Sequence, residues 1–158
     1  MSRLMVLGIG DILKCDRGLG IYAVRDLYRE GWSNQVDFID ESQLNGSLSL
    51  QGYESLLVLG GFEIDRKPGT LFRLTHEDLL LHKDLFSSIC FWEALTLAEL
   101  SGQSINVSLL GVVPEQTDWD LSLSSAVNDA YPAYLESVRN EMEALLNGLD
   151  RADIRYEH

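Results

Sequence analysis

The chain has 158 residues, 46% hydrophobic and 23% charged, a balance that suits one globular domain with a sizeable core. Acidic residues outnumber basic ones 25 to 12, giving a formal net charge of −13 with no local Lys/Arg cluster to offset it. Such a surface repels phosphate backbones and argues against nucleic-acid binding, and no apolar run approaches the ~20 residues that span a bilayer.

The N-terminus carries only a short apolar stretch that runs straight into a glycine turn. It reads as a first strand, Leu4 to Gly8, rather than a signal peptide, so a cytoplasmic location is expected. Residues Gly18 to Glu30 follow with Ile21, Val24 and Leu27/Tyr28 at helical spacing, and Gly31 sits where a helix would stop. Val36 to Asp40 reads as a second strand. The unbroken apolar run Leu56 to Leu59 predicts a central strand covered on both faces.

Pro68-Gly69 makes a turn before a short strand, Thr70 to Leu74. Phe91 to Leu100 has helical character, with Leu95, Ala98 and Leu100 expected largely on one side and Gly102 closing it. Ile105 to Leu110 reads as another strand. A long helix is expected from Ser124 to Leu146 with Gly148 just beyond. Residues 1–149 form the expected single domain, and 150–158 a polar tail.

Alternating strand and helix periods predict a three-layer α/β/α sandwich around one mostly parallel, roughly five-stranded twisted sheet. Ligand sites in such sheets gather at the carboxyl ends of the strands. Here those are the loops Gly10 to Gly20, Asp40 to Leu44 and Gly60 to Asp65, and the segment leading to Phe91.

The first loop reads Gly8-Ile9-Gly10-Asp11-Ile12-Leu13-Lys14-Cys15-Asp16-Arg17-Gly18-Leu19-Gly20. Its glycine spacing is not that of a dinucleotide fingerprint, and no Gly-Lys-Ser/Thr opens the helix as in a P-loop. Cys15 and Cys90 are too few and too distant for a zinc motif, and neither has the adjacent histidine that an activated thiolate needs. Trp32, Trp92 and Trp119 read as packing aromatics, with the Asp118-Trp119-Asp120 turn as part of a binding rim.

Val6-Leu7-Gly8-Ile9-Gly10-Asp11-Ile12-Leu13, followed by Asp16, Gly18 and Gly20, resembles the opening of the hydrogenase maturation proteases. That family opens with Gly-x-Gly-Asn-x-Leu, two acidic residues and Gly-x-Gly. The similarity continues in order at Val36 to Asp40, Leu56 to Leu59, Pro68-Gly69-Thr70, Glu93 to Gly102, and Leu109-Leu110-Gly111-Val112-Val113-Pro114-Glu115. It covers nearly the whole chain.

The resemblance implies an endopeptidase that removes a C-terminal extension from a nickel–iron hydrogenase large subunit and recognises nickel already inserted in it. It further implies three ligands: a carboxylate on the first loop, an Asp ending the third strand and a His before a later helix. Carried onto this sequence, those positions fall at Arg17, Gly60 and Ser87. A guanidinium offers no lone pair to a cation, glycine has no side chain, and a lone hydroxyl is a poor ligand. The family Asn has become Asp11, and its Gly-Gly-Thr loop has become Glu41-Ser42-Gln43 after Asp40. Asp16, Asp40, Glu63, Asp65, His76 and His82 remain as groups that could rebuild a site from displaced positions.

The expectation is therefore a maturation-protease-like protein without a nickel site or other cofactor. Its crevice is flanked by Asp11, Asp16, Asp40, Glu41 and Glu63, and its partner is a protein precursor, a hydrogenase-type large subunit. Arg17 fits a binding role, because a fixed cation can pair with the C-terminus of a polypeptide or with Asp16 in the metal's place. Two other readings stay open: an active endopeptidase on such a precursor, and a small-molecule-binding α/β module.

Overall fold

In a computed structural model of the protein, residues 3–44, 48–81 and 89–147 are described, the last segment without the side chains of its first two residues. Five strands, β1 (Leu4–Gly8), β2 (Val36–Asp40), β3 (Ser55–Gly61), β4 (Leu71–Thr75) and β5 (Asn106–Val112), form one sheet in the order β2-β1-β3-β5-β4. All neighbours pair in parallel except β4, which runs antiparallel to β5 with Leu71 opposite Val112 and Thr75 opposite Ser108. Four α-helices cover it: α1 (Leu19–Arg29), α2 (His76–Leu81), α3 (Ile89–Leu100) and α4 (Ser125–Leu146). The expected sandwich is present, with strand and helix ends shifted by one or two residues and α2 added.

The continuous apolar strands work because both faces of the sheet are covered. The strand period of two sends Leu4, Val6, Leu57, Leu59, Leu110 and Val112 toward α1 and α4. It sends Met5, Leu7, Leu56, Val58, Val107 and Leu109 toward α2 and α3. Fully burying each such Leu or Val contributes roughly 1.5–3 kcal/mol. Leu19, Ala23, Val24 and Leu27 of α1 close the first core, and Gly31 ends that helix at φ +77.

Helix α3 buries Phe91, Ala94, Leu95 and Ala98 against the second core. Leu100, expected on that side, is 80% exposed. It lies five residues beyond Leu95, half a turn off the stripe. Helix α4 starts at the cap residue Ser124, whose Oγ accepts from Val127 N–H at 3.4 Å. Its fully buried Glu141 is held by Arg73 at 3.3 Å and Ser108 Oγ at 3.2 Å, partners without which a buried carboxylate is costly. Among the described residues no helix is long and apolar enough to cross a membrane. Gly148 and the polar segment 150–158 lie outside the described residues.

From β1 the polypeptide passes through α1 to β2 on one side, whereas from β3 it reaches β5 on the other. The connections diverge between β1 and β3, so a crevice opens at the carboxyl ends of these two strands.

Candidate functional site

The floor of the crevice is main chain. Ile9 N–H donates to Leu59 O at 2.9 Å, tying the exit of β1 to β3. Helix α1 sits directly on this junction through Gly20, where a Cβ would fall 2.2 Å from Leu59 O and 2.7 Å from Ile9 O. The first loop follows as a 3₁₀ turn, Cys15–Gly18, and Arg17 N–H returns to Lys14 O at 3.1 Å.

Asp16 is the anchor of this loop. Its main-chain N–H donates to Gln116 O at 3.1 Å, while Cys15 N–H and Asp120 N–H bond Asp120 O and Leu13 O at 2.8 and 3.0 Å. Its buried carboxylate accepts from Glu115 N–H at 2.7 Å, Gln116 N–H at 2.9 Å, Ser124 N–H at 2.8 Å and Ser124 Oγ at 2.7 Å. Burial would raise its pKa, but the donors from Gln116, Ser124 and Glu115 outweigh it and hold the carboxyl below its ordinary value. The carboxylate thus points into the joint between the first loop and α4.

Cys15 is buried at φ +49, its thiol 3.6 Å from Asp16 Oδ1. Burial and then the Asp16 charge push the thiol up, opposite to what a nucleophile requires. Asp11 accepts from Leu13 N–H at 2.9 Å within its own turn. Asp40, buried at the end of β2, accepts from Ser42 N–H at 2.8 Å and Ser42 Oγ at 2.7 Å, with Arg25 at 3.5 Å. It caps the 3₁₀ turn that begins with the half-buried Glu41. Arg17 is exposed on the first loop, and Glu63 and Asp65 are exposed beyond β3.

Gly60 lies buried on β3 with its open side filled. A Cβ there would come within 2.7 Å of Cζ and 2.9 Å of Cε2 of Phe62, and 3.1 Å of Ile9 O. Phe62 is itself buried, so an aromatic ring occupies the space a side chain at position 60 would enter. Gly61 backs onto the loop, its added Cβ falling 2.5 Å from Asp16 O. The crevice therefore brings Asp16, Arg17, Gly60 and Phe62 into one neighbourhood.

Other expected groups do not join it. His76 follows Thr75, opposite Ser108, about 13 Å back along β5 from the crevice end, and meets Glu99 at 3.3 Å. Ser87, His82 and the side chain of Cys90 lie outside the described residues. Trp32 and Trp92 pack against the two cores, but Trp119 does not: it is 72% exposed, with Lys14 Nζ 5.1 Å from its ring centre. Phe62 had a signal in the sequence, because a period of two places it on the same face as Gly60.

No protein-family model matches the chain. It is 27% identical over 145 residues to the hydrogenase expression/formation protein HupD of Rhizobium leguminosarum bv. viciae, covering 85% of this chain and 71% of that protein. The structure of the hydrogenase maturating endopeptidase HybD from E. coli matches with a TM-score of 0.77 and 23% identity, over 90% of this chain and 93% of that one. A hydrogenase 2 maturation peptidase from a Thaumarchaeota archaeon matches with a TM-score of 0.67 and 25% identity, over 90% and 99%.

Fold and crevice define a three-layer α/β protein built like the maturation endopeptidases. In sequence the chain is similar to HupD, and in fold to the hydrogenase maturation endopeptidases. At the two described positions that the resemblance assigns to metal ligands, the groups present do not fit a divalent cation. Arg17 has no lone pair to give, and the space beside Gly60 holds a phenyl ring. Among the described residues no three His, Cys, Asp or Glu side chains come together.

Proposed function

We propose that the protein binds a hydrogenase-type large-subunit precursor and assists its assembly without nickel-dependent removal of the C-terminal extension. The observation that carries this reading is the Phe62 ring standing where a carboxylate on position 60 would project. Two further features support it: a guanidinium on the first loop, and an Asp16 carboxylate already filled by four hydrogen bonds. Hydrolysis of a peptide needs a group that activates water or the carbonyl. Asp40 is engaged in holding its own turn, and Asp16 in joining the first loop to the start of α4. The fold itself favours a protein partner, because the names of its relatives describe maturation of hydrogenases.

Incubation with a nickel-loaded large-subunit precursor tests the proposal, with complex formation followed by gel filtration and tail removal by mass spectrometry. A stable complex with an intact tail is expected. Specific removal of the tail would establish the endopeptidase reading instead.

A further inference from the structure

Seven arginines are described, and five of them (Arg3, Arg25, Arg29, Arg73 and Arg139) meet a carboxylate within 3.7 Å. Arg66 donates to the carbonyl of Asp65 at 2.7 Å. Among the described residues Arg17 has neither kind of partner, in a protein with 25 acidic residues. Its neighbour Asp16 cannot serve, because four donors at the α4 joint already fill that carboxylate. The cation is left open, exposed on the first loop.

One 3₁₀ turn before Arg17 stands Lys14, lying over the ring of Trp119. Trp119 is two residues from Leu121, 69% exposed, and the isolated bridge between Lys14 and Asp120 brings Leu13, 47% exposed, to the same segment. This apolar group is fixed rather than loose: Leu13, Cys15 and Asp120 are joined through their backbones, and Tyr22 OH donates to Leu121 O at 2.6 Å. Asp120 beside it is engaged with Ser122 N–H and Oγ, both at 3.0 Å. Aromatic and arginine side chains are the types that anchor interfaces, and here they stand on a backbone that is already ordered.

We propose that this ledge docks the end of a partner polypeptide. The terminal carboxylate pairs with Arg17, and an apolar last side chain rests on Trp119, Leu13 and Leu121. The net charge of −13 favours this occupant, since it repels a segment with several acids while one carboxylate is met by the open guanidinium of Arg17, with Lys14 held over the Trp119 ring. The inference rests on the binding reading above and specifies the chemistry of what is bound.

The test is an NMR titration of the full-length, ¹⁵N-labelled protein with N-acetyl-leucine, read at the Trp119 indole N–H, which Trp119→Phe assigns. A saturable shift is expected, weakened roughly tenfold in Arg17→Gln and for N-acetyl-leucine amide, and unchanged in Arg66→Gln. Equal binding of the amide, an unmoved Trp119 signal, or an unaltered Arg17→Gln response would overturn the proposal. N-acetyl-Leu-Glu-amide binding as well as N-acetyl-leucine would also overturn it, by showing that a side-chain carboxylate suffices. Since the probe is not a hydrogenase subunit, its failure leaves the precursor-binding reading standing, and a precursor that does not bind leaves this result untouched.

Discussion

The ring of Phe62 and the missing side chain of Gly60 are complementary: Cζ of Phe62 stands 2.7 Å from where a Cβ on Gly60 would be. The two positions cannot be changed independently.

Gly60→Asp is expected to destabilise the fold by about 2–3 kcal/mol, through overpacking and a carboxylate forced against a ring. Phe62→Ala should cost about 3 kcal/mol by leaving a void. Combined, the two should cost clearly less than their sum, because each relieves the strain of the other. Urea unfolding of the four proteins measures this, and strictly additive costs would show that the ring does not fill that space.

Asp16→Asn replaces an acceptor of four hydrogen bonds with an amide that must face donors, and should cost about 2–4 kcal/mol at neutral pH. The folded carboxyl titrates below its unfolded counterpart, so the unfolded state binds the proton first as pH falls. Its stabilisation is therefore complete above the unfolded value of about 3.9 and fades as pH drops through the lower folded value. The gap between wild type and Asp16→Asn should be wide at pH 7 and narrow at pH 3. A gap independent of pH would contradict this role.

Ser124 serves two elements, capping α4 and donating to Asp16. Ser124→Ala should cost about 1–2 kcal/mol. In the Asp16→Asn background the same change should cost markedly less, since part of its effect passes through the lost carboxylate. Equal costs in both backgrounds would mean that cap and clamp act separately.

The Cys15 thiol should resist a disulfide reagent such as DTNB in the folded protein, because it is buried and its pKa is raised. In a Cys90→Ala background at pH 8, labelling should follow the unfolding equilibrium and accelerate with urea. Rapid labelling without denaturant would place the thiol at the surface.

The sheet is legible in the sequence because its central strands are buried on both faces and so appear as unbroken apolar runs, Leu56 to Leu59 most clearly. Gly31, Gly69 and Gly102 mark turns correctly, each lying at positive φ. Helix α2 leaves no such mark, since six residues are too few to display a period. The side chains carrying the crevice follow from the loop's order, but Asp16's role does not. Its partners Glu115, Gln116 and Ser124 lie about a hundred positions away, a relation no local pattern encodes.

The contact between Gly20 and the end of β3 has an implication for how such a crevice changes over time. Where helix and sheet meet with no side chain between them, a Cβ at Gly20 falling 2.2 Å from Leu59 O, neither can slide past the other. The first loop and the end of β3 therefore meet through main chain at this junction, not through the side chains at 17 and 60. New chemistry can then arise at this scaffold by exchanging the fittings, residues 60 and 62 together, without retooling the frame that holds them.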